Sequence, residues 1–183
     1  MGTRHLVCVK LNGDYKVSQF GSMSGQPQAA GVGCLNHLKE ILVDVERFKR
    51  QLDWVQLVQF EDNSPCDEGV QVVIPAHTAL NVINNTNKTI KFYPSIEYAG
   101  EYSCDWVYVI DLDDHSFKVY KGKNKDKSKE EKDFAQYIPE KNLGYRAVAL
   151  LNKYDFDKLP TVDEFKKYYD NLEKEEDERL NAE

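Results

Sequence analysis

Alternation of apolar and polar residues near the start of the chain predicts a β-hairpin. Residues 4–11 (RHLVCVKL) and 15–20 (YKVSQF) alternate on either side of Asn12-Gly13-Asp14. Asn-Gly between two such segments favours a tight primed turn, because the central residues of that turn need positive φ. The next segment, 21–33, contains several glycines and one proline, so it is predicted as an irregular loop.

A second hairpin is predicted in the middle of the chain. Its first strand is CDWVYVIDL (104–112), its turn is 113–116 and its returning strand is FKVYKG (117–122). The first strand has one face formed by Trp106, Tyr108, Ile110 and Leu112, and a second face formed by Val107, Val109 and Asp111. Both faces are largely apolar, which is typical of a central strand covered on both sides.

Spacings of three and four between apolar residues predict helices. Residues 33–52 carry such a stripe, formed by Leu35, Leu38, Leu42, Val45, Phe48 and Leu52. Residues 76–85 predict a short helix, and residues 54–60 fit either a helix extension or a strand. Near the C-terminus, Thr161 and Glu164 have the spacing of a capping box, which marks the start of a helix.

The remaining segments predict two strands and two loops. The apolar runs 70–74 and 145–151 predict short strands. The polar run 63–69 predicts a loop, and the lysine-rich run 121–133 predicts a mobile loop because it contains no core residues.

The order of these elements predicts an α+β fold, in which an antiparallel β-sheet built from two hairpins is covered by amphipathic helices. Residues 1–172 are predicted as a single domain, since no linker interrupts them and their number suffices to bury a core. The charged residues 173–183 are predicted as a frayed C-terminal end.

Composition and charge restrict the partners. The chain has 183 residues and a net charge of −7, without the clustered basic face that nucleic acid requires, so no nucleic-acid partner is expected. No apolar run approaches the roughly 20 residues of a membrane span. Arg4, His5 and Lys10 interrupt the N-terminal apolar segment, which argues against a signal peptide and predicts a cytoplasmic protein without a membrane partner. The partners still open are a small-molecule ligand and a second copy of the chain, which could pair through an exposed hairpin edge to form a homo-oligomer.

Cysteines, histidines and carboxylates predict no metal and no cofactor. None of the four cysteines lies in a C-x-x-C pair, and none of the four histidines forms an i, i+4 pair. The acidic run that begins at Asp111 fails as a calcium loop, because Ser116 and Gly122 occupy the places of the required glycine and glutamate. Asp111 lies among apolar residues and needs a partner, for which Arg4 and Arg146 are the candidates.

Thr3 and Arg4, at the start of the first strand, allow three interpretations. Thr3 could be the nucleophile of an N-terminal-nucleophile hydrolase, in which the free α-amine acts as the base. Gly2 argues against this, because removal of Met1 alone would expose a glycine. The alternatives are two ordinary strand residues, with Arg4 bonding a carboxylate or a helix end, and an Arg4 that binds a ligand.

The glycine-rich loop 21–33 precedes a helix, where backbone N–H groups can bind an anion. It matches neither the phosphate-loop nor the dinucleotide-binding pattern, and its serines lack a G-x-S-x-G setting. Ser22, Ser24 and Gly25 are therefore candidates for ligand contacts and not for nucleophilic chemistry.

Several segments resemble a largely uncharacterised family of phage and fungal proteins. The similar segments are MGTRHLVCV, YKVSQFG, CDWVYVIDLDDHSFKVYKG and FDKLPTVDEF. Thr3, Arg4, Trp106 and Asp111 match that family's pattern. The family's second strand ends in motifs such as Tyr-Gly-Gln-Trp-Asp-Gly-Tyr-Pro, and Ser24 stands here in place of the aspartate. The resemblance implies that the loop shape persists without acid chemistry.

Together these observations predict a non-catalytic small-ligand-binding protein, with Thr3, Arg4, Ser22, Ser24, Gly25, Trp106 and Asp111 as the ligand-binding residues. The resemblance to phage proteins implies a more specific role, in which the protein would sequester a nucleotide-like signal of a host defence system and so act in counter-defence. The alternatives are the N-terminal-nucleophile hydrolase and a protein–protein interaction module.

Overall fold

The computed structural model describes residues 2–58, 75–100, 104–138 and 146–182. The strands are β1 His5–Leu11, β2 Asp14–Gly21, β3 Val55–Leu57, β4 Ile90–Phe92, β5 Trp106–Asp111, β6 Ser116–Lys121 and β7 Ala149–Asp155. The α-helices are α1 Val32–Ile41, α2 Val45–Leu52, α3 Thr78–Asn84, α4 Lys132–Ala135 and α5 Val162–Ala182. One π-helical turn, Pro27–Gly31, connects β2 to α1.

The main sheet has the strand order β2-β1-β5-β6-β7, and a small parallel sheet pairs β3 with β4. The α+β class and both predicted hairpins, β1–β2 and β5–β6, are confirmed. The sheet is mostly antiparallel, as predicted, and it contains one parallel pair, β1 with β5. The first strands of the two hairpins lie side by side, and the long connection through the helices lets β5 start at the same end of the sheet as β1.

The two faces of β5 lie in two separate cores, as its alternation predicts. Trp106, Tyr108 and Ile110 belong to the larger core, which packs the sheet against α1, α2, α3 and α5. Val107 and Val109 belong to a smaller core on the other face, which includes Phe134 of α4. The central, covered position expected for this strand is thereby confirmed.

The helix predicted over residues 33–52 is interrupted. A 3₁₀ turn at Leu42–Asp44 separates α1 from α2, and the side chain of Asp44 caps α2 by accepting the backbone N–H of Arg47 at 2.9 Å. An aspartate side chain competes for backbone N–H groups, which favours a new helix start over continuation. The short helix expected within residues 76–85 is confirmed as α3.

Other predicted segments have mixed outcomes. Of residues 54–60, the structure describes a strand at Val55–Leu57. The predictions for 63–69 and 70–74 lie outside the described residues. A 3₁₀ turn at Lys127–Lys129 and the start of α4 interrupt the predicted lysine-rich loop, because buried Phe134 anchors this segment to the sheet.

Helix α5 continues to Ala182 through the segment that the sequence predicts as frayed, and the domain division at residue 172 stays a prediction. None of the helices within the described ranges combines the length and the apolar character needed to cross a membrane.

The capping box at the start of α5 is confirmed. The Thr161 hydroxyl accepts the backbone N–H of Glu164 at 3.2 Å, and the Glu164 carboxylate accepts the backbone N–H of Thr161 at 2.8 Å. These bonds satisfy two donors that would otherwise lack partners, and the Thr161 N–H holds the pKa of Glu164 below its usual value.

Thr161→Ala is expected to lower the free energy of unfolding by about 1 kcal/mol, because alanine cannot accept the N3 hydrogen bond. Urea unfolding followed by circular dichroism measures the change. Thr89→Ala, at an exposed threonine outside any helix or strand, is the control and should remain within about 0.5 kcal/mol of the wild type. Equal stabilities of the two variants would contradict a stabilising cap.

Candidate functional site

The residues predicted as a ligand site lie at both ends of the sheet. Thr3, Arg4 and the loop 22–25 lie where β1 begins and β2 ends, and Trp106 begins β5 beside them. Asp111 lies at the far end of β5, about 17 Å away at the usual rise of a strand. The structure therefore brings together six of the seven predicted residues around the start of β1 and separates Asp111 from them.

Arg4 has a fixed backbone and an exposed side chain. Its N–H donates to the Asp105 carboxylate at 2.9 Å, and its carbonyl accepts the N–H groups of Asp105 and Trp106 at 3.0 and 3.2 Å. In the part of the chain that is described, no carboxylate forms an ion pair with the Arg4 guanidinium; Asp105 pairs instead with Lys123 at 2.5 Å. Arg4 thus presents a cation at the end of the sheet where β1 begins.

The loop 22–25 is anchored through the backbones of Ser24 and Gly25. The Ser24 carbonyl accepts the Ala30 N–H at 3.2 Å. The Gly25 N–H donates to the Thr3 carbonyl at 3.1 Å, and the Tyr108 hydroxyl donates to the Gly25 carbonyl at 2.7 Å. Ser22, Met23 and Ser24 are exposed, and Ser24 has a left-handed backbone with φ of 53°. The loop therefore carries its two serines on the surface next to Arg4.

Beneath this loop lies a buried histidine that the sequence did not single out. His5 is 0% exposed, and neither ring nitrogen makes a hydrogen bond of regular geometry with the described residues, although the Thr3 carbonyl lies near enough to the ring to favour its charged form. Its ring fills the space left by two glycines: a Cβ on Gly21 would lie 2.6 Å from His5 Nε2, and one on Gly25 would lie 2.8 Å from His5 Nδ1. The two glycines are needed here because the imidazole packs against their backbones.

Burial determines the protonation of His5. Desolvation lowers the pKa of His5 to about 4, the charge of His77 adds to this effect, and the Thr3 carbonyl opposes it. Burial also lowers the pKa of His77, followed by the effect of His37, whose ring centre lies 5.7 Å from that of His77. At neutral pH the His5 ring is therefore uncharged, with one nitrogen a donor and the other an acceptor.

Trp106 packs in the larger core and is 5% exposed. Its ring centre lies 6.1 Å from that of Tyr169, and the Lys121 ammonium lies 5.4 Å from the centre of the indole ring. Trp106 therefore supports the start of β5 from inside, beneath the exposed Arg4.

Asp111 has a different partner from the two arginines proposed from the sequence, and that prediction is corrected. Its carboxylate accepts the Lys118 ammonium at 2.8 Å and the backbone N–H groups of Asp113 and Asp114 at 3.1 and 2.9 Å. Lys118 reaches Asp111 diagonally across the β5–β6 hairpin, since its own cross-strand partner is Val109. The side chain of Asp111 closes its own turn.

A groove that the sequence did not indicate lies beside the turn of the first hairpin. Its volume is about 570 Å³, and its polar lining includes Lys10, Asp14, Tyr15, Lys16 and Asp133. These residues are contributed by β1, β2 and α4, and α4 lies more than 100 positions along the chain from the two strands.

No group of His, Cys, Asp and Glu side chains in the described ranges is arranged so that it could hold a metal ion.

Comparison of the chain with protein-family models, with curated proteins and with solved structures finds no match.

Proposed function

We propose that the chain is a non-catalytic protein that binds a small ligand at Arg4 and the exposed loop 22–24, above His5. The observation that carries this proposal is the buried His5 ring, whose two nitrogens make no hydrogen bond of regular geometry with the described residues. About nine in ten buried polar groups in folded proteins are hydrogen-bonded, so a polar group left without a partner needs a specific reason. A ligand that enters beneath the loop supplies the missing partners.

A ligand is admitted by local opening of the loop. Its anchors are the bonds at Gly25 and the Ala30 N–H, which donates to the Ser24 carbonyl at 3.2 Å, whereas the side chains of Ser22, Met23 and Ser24 are exposed. Gly21 and Gly25 cover the His5 ring, so the bonds at Gly25 must open together with movement of Ser22, Met23 and Ser24 before a ligand reaches the ring. Short surface loops with few buried contacts open at low free energy.

The ligand that fits these groups is nucleotide-like. An exposed guanidinium binds phosphate through paired hydrogen bonds, and a neutral imidazole offers one donor and one acceptor, which suits the edge of a nucleobase. The resemblance to phage proteins supports a role in which the protein sequesters a nucleotide signal of a host defence system. Sequestration requires binding alone, without turnover.

The non-catalytic character rests on the hydroxyl groups at this end of the sheet. In the described structure, the hydroxyls of Thr3, Ser22 and Ser24 form no hydrogen bond with a histidine or carboxylate that could act as a base. Nucleophilic hydroxyls are activated by such a base. The hydrolase and interaction-module alternatives stay predictions from the sequence.

The test is thermal unfolding of the protein with a panel of mononucleotides, dinucleotides and cyclic nucleotides. At least one member should raise the melting temperature by several degrees, since a ligand at about 100 times its Kd stabilises the fold by about 2.7 kcal/mol. Arg4→Ala should weaken binding of that member at least tenfold. Arg50→Ala, at an exposed arginine on α2, is the matched control and should bind as the wild type does.

Two results would contradict the proposal. One is the absence of any stabilisation by millimolar nucleotides of every class in the panel. The other is equal affinity of the wild type and Arg4→Ala, which would remove Arg4 from the site.

A further inference from the structure

The groove beside the first hairpin turn has the size of a small-molecule site. Its volume of about 570 Å³ falls within the range of about 300–1,000 Å³ that such sites occupy. It lies along β2, at the end of the sheet opposite to Arg4. Its lining combines apolar residues, among them Val55, Pro94 and Ile96, with charged side chains.

The charges in this groove balance. The Lys10 ammonium lies 2.6 Å from Asp133 Oδ2, and the Lys16 ammonium lies 3.3 Å from Asp14 Oδ2. Two ammonium groups and two carboxylates line the space, so the groove carries no net charge. A ligand of high net charge would meet two like charges, whereas a ligand with one charge of each sign could pair with both kinds.

Asp133 has acceptor capacity on the side of the groove. Lys10 at 2.6 Å and the Tyr15 hydroxyl at 3.5 Å both contact Oδ2, and within the described structure no donor is assigned to Oδ1. The side chain of Asp133 is 46% exposed. Burial raises the pKa of Tyr15, so its hydroxyl stays protonated and donates towards Asp133. Oδ1 can therefore accept an ammonium group from a ligand.

Lys16 supplies the opposite charge. The register of the β1–β2 pair shifts between Val9 and Lys10: Val9 pairs with Val17 and Lys10 pairs with Tyr15, which leaves Lys16 as the extra residue of a β-bulge. Bulges re-aim side chains and are common beside binding sites. The one described contact of the Lys16 ammonium is the 3.3 Å approach to exposed Asp14, so two of its three hydrogens remain for a carboxylate.

We propose that this groove binds a small zwitterion with an apolar side chain, that is, a free α-amino acid of the phenylalanine or leucine type. Its ammonium group binds Asp133 Oδ1, its carboxylate binds Lys16, and its side chain packs against Pro94 and Ile96. This site is separate from the proposed nucleotide site, and it discriminates against nucleotides because their phosphates would face Asp14 and Asp133.

The experiment is calorimetric titration of the full chain with L-phenylalanine, N-acetyl-L-phenylalanine and L-phenylalaninamide. The two derivatives keep the side chain but lack the ammonium group or the carboxylate, respectively. L-Phenylalanine is expected to bind at least tenfold more tightly than either derivative. No binding of L-phenylalanine at 10 mM, on the order of the weakest useful affinity for a small ligand, would overturn the proposal, as would equal binding of all three compounds.

Variants locate the site. Asp133→Asn and Lys16→Gln should each weaken L-phenylalanine binding at least tenfold, and Asp133→Asn should leave N-acetyl-L-phenylalanine unaffected because that compound lacks the ammonium group. Asp163→Asn, at an exposed aspartate of α5, and Arg4→Ala are the controls and should bind L-phenylalanine normally. Wild-type affinity in both groove variants would overturn the proposal, even if Asp133→Asn proved less stable.

Discussion

Gly122→Ala is expected to lower the free energy of unfolding by about 3 kcal/mol or more, at the upper end of the cost of overpacking. A Cβ at this position would overlap the Cys104 carbonyl oxygen and would lie 2.7 Å from the carbonyl carbon. The obstacle is backbone, which cannot rotate away as a flexible side chain can. The Gly122 N–H also donates to the Asp105 carbonyl at 2.8 Å, so the close approach and the hydrogen bond must be lost or strained together.

This clash would reach the candidate site. Asp105 accepts the Arg4 N–H through its carboxylate and donates its own N–H to the Arg4 carbonyl. Displacement of residues 104–105 therefore moves the backbone that holds Arg4, and in any variant that still folds it should also weaken the nucleotide binding that we propose for this site.

Gly13→Ala is the control for the steric argument. Gly13 has φ of 79°, and a Cβ there would meet nothing within 4 Å. Gly13→Ala is therefore expected to lower the free energy of unfolding by about 1–2 kcal/mol, the cost of a left-handed backbone at a residue other than glycine. Urea unfolding of both variants measures the difference. If Gly122→Ala were no less stable than Gly13→Ala, the packing of β6 against residues 104–105 would be looser than described.

The hairpins could be predicted from sequence because their determinants are local. Asn12 and Gly13 both have the positive φ that their tight turn needs, at 56° and 79°. The relation between the hairpins is not local. Asp113 of the second turn accepts the N–H groups of Asn12 and Gly13 at 2.8 and 2.9 Å, so the turns lie together only because β1 and β5 are parallel neighbours. No short-range pattern encodes that contact.

In the candidate site, too, the sequence predicted the features that depend on neighbouring residues and missed those that depend on contacts between distant residues. The sequence predicted a loop at 21–33 and a strand start at Arg4, which depend on neighbouring residues. It did not predict that the His5 ring would lie between two glycine backbones. The alternation of a strand indicates which side chains point into the protein, but it does not indicate which residues they contact there. The Asp111–Lys118 pair was missed because its geometry depends on the register of a hairpin.

His5→Gln is expected to reduce the loss of stability on acidification. Burial lowers the pKa of His5 in the folded protein to about 4 from its usual value of 6.5. Below pH 6.5 the unfolded chain therefore binds a proton that the folded protein excludes, and stability falls as the pH is lowered towards 4. At about 1.4 kcal/mol per pH unit between the two pKa values, His5 accounts for about 2 kcal/mol of the loss between pH 7 and pH 4.5.

Urea unfolding at pH 7 and pH 4.5 measures this loss. Glutamine carries no titratable group, so His5→Gln should lose about 2 kcal/mol less than the wild type over this interval. His77, whose pKa burial also lowers, and the carboxylates with lowered pKa values are common to both proteins, so their contributions cancel. An unchanged loss in His5→Gln would mean that His5 accepts a proton while folded, and that water or a loop movement already reaches the ring on which the proposed ligand site depends.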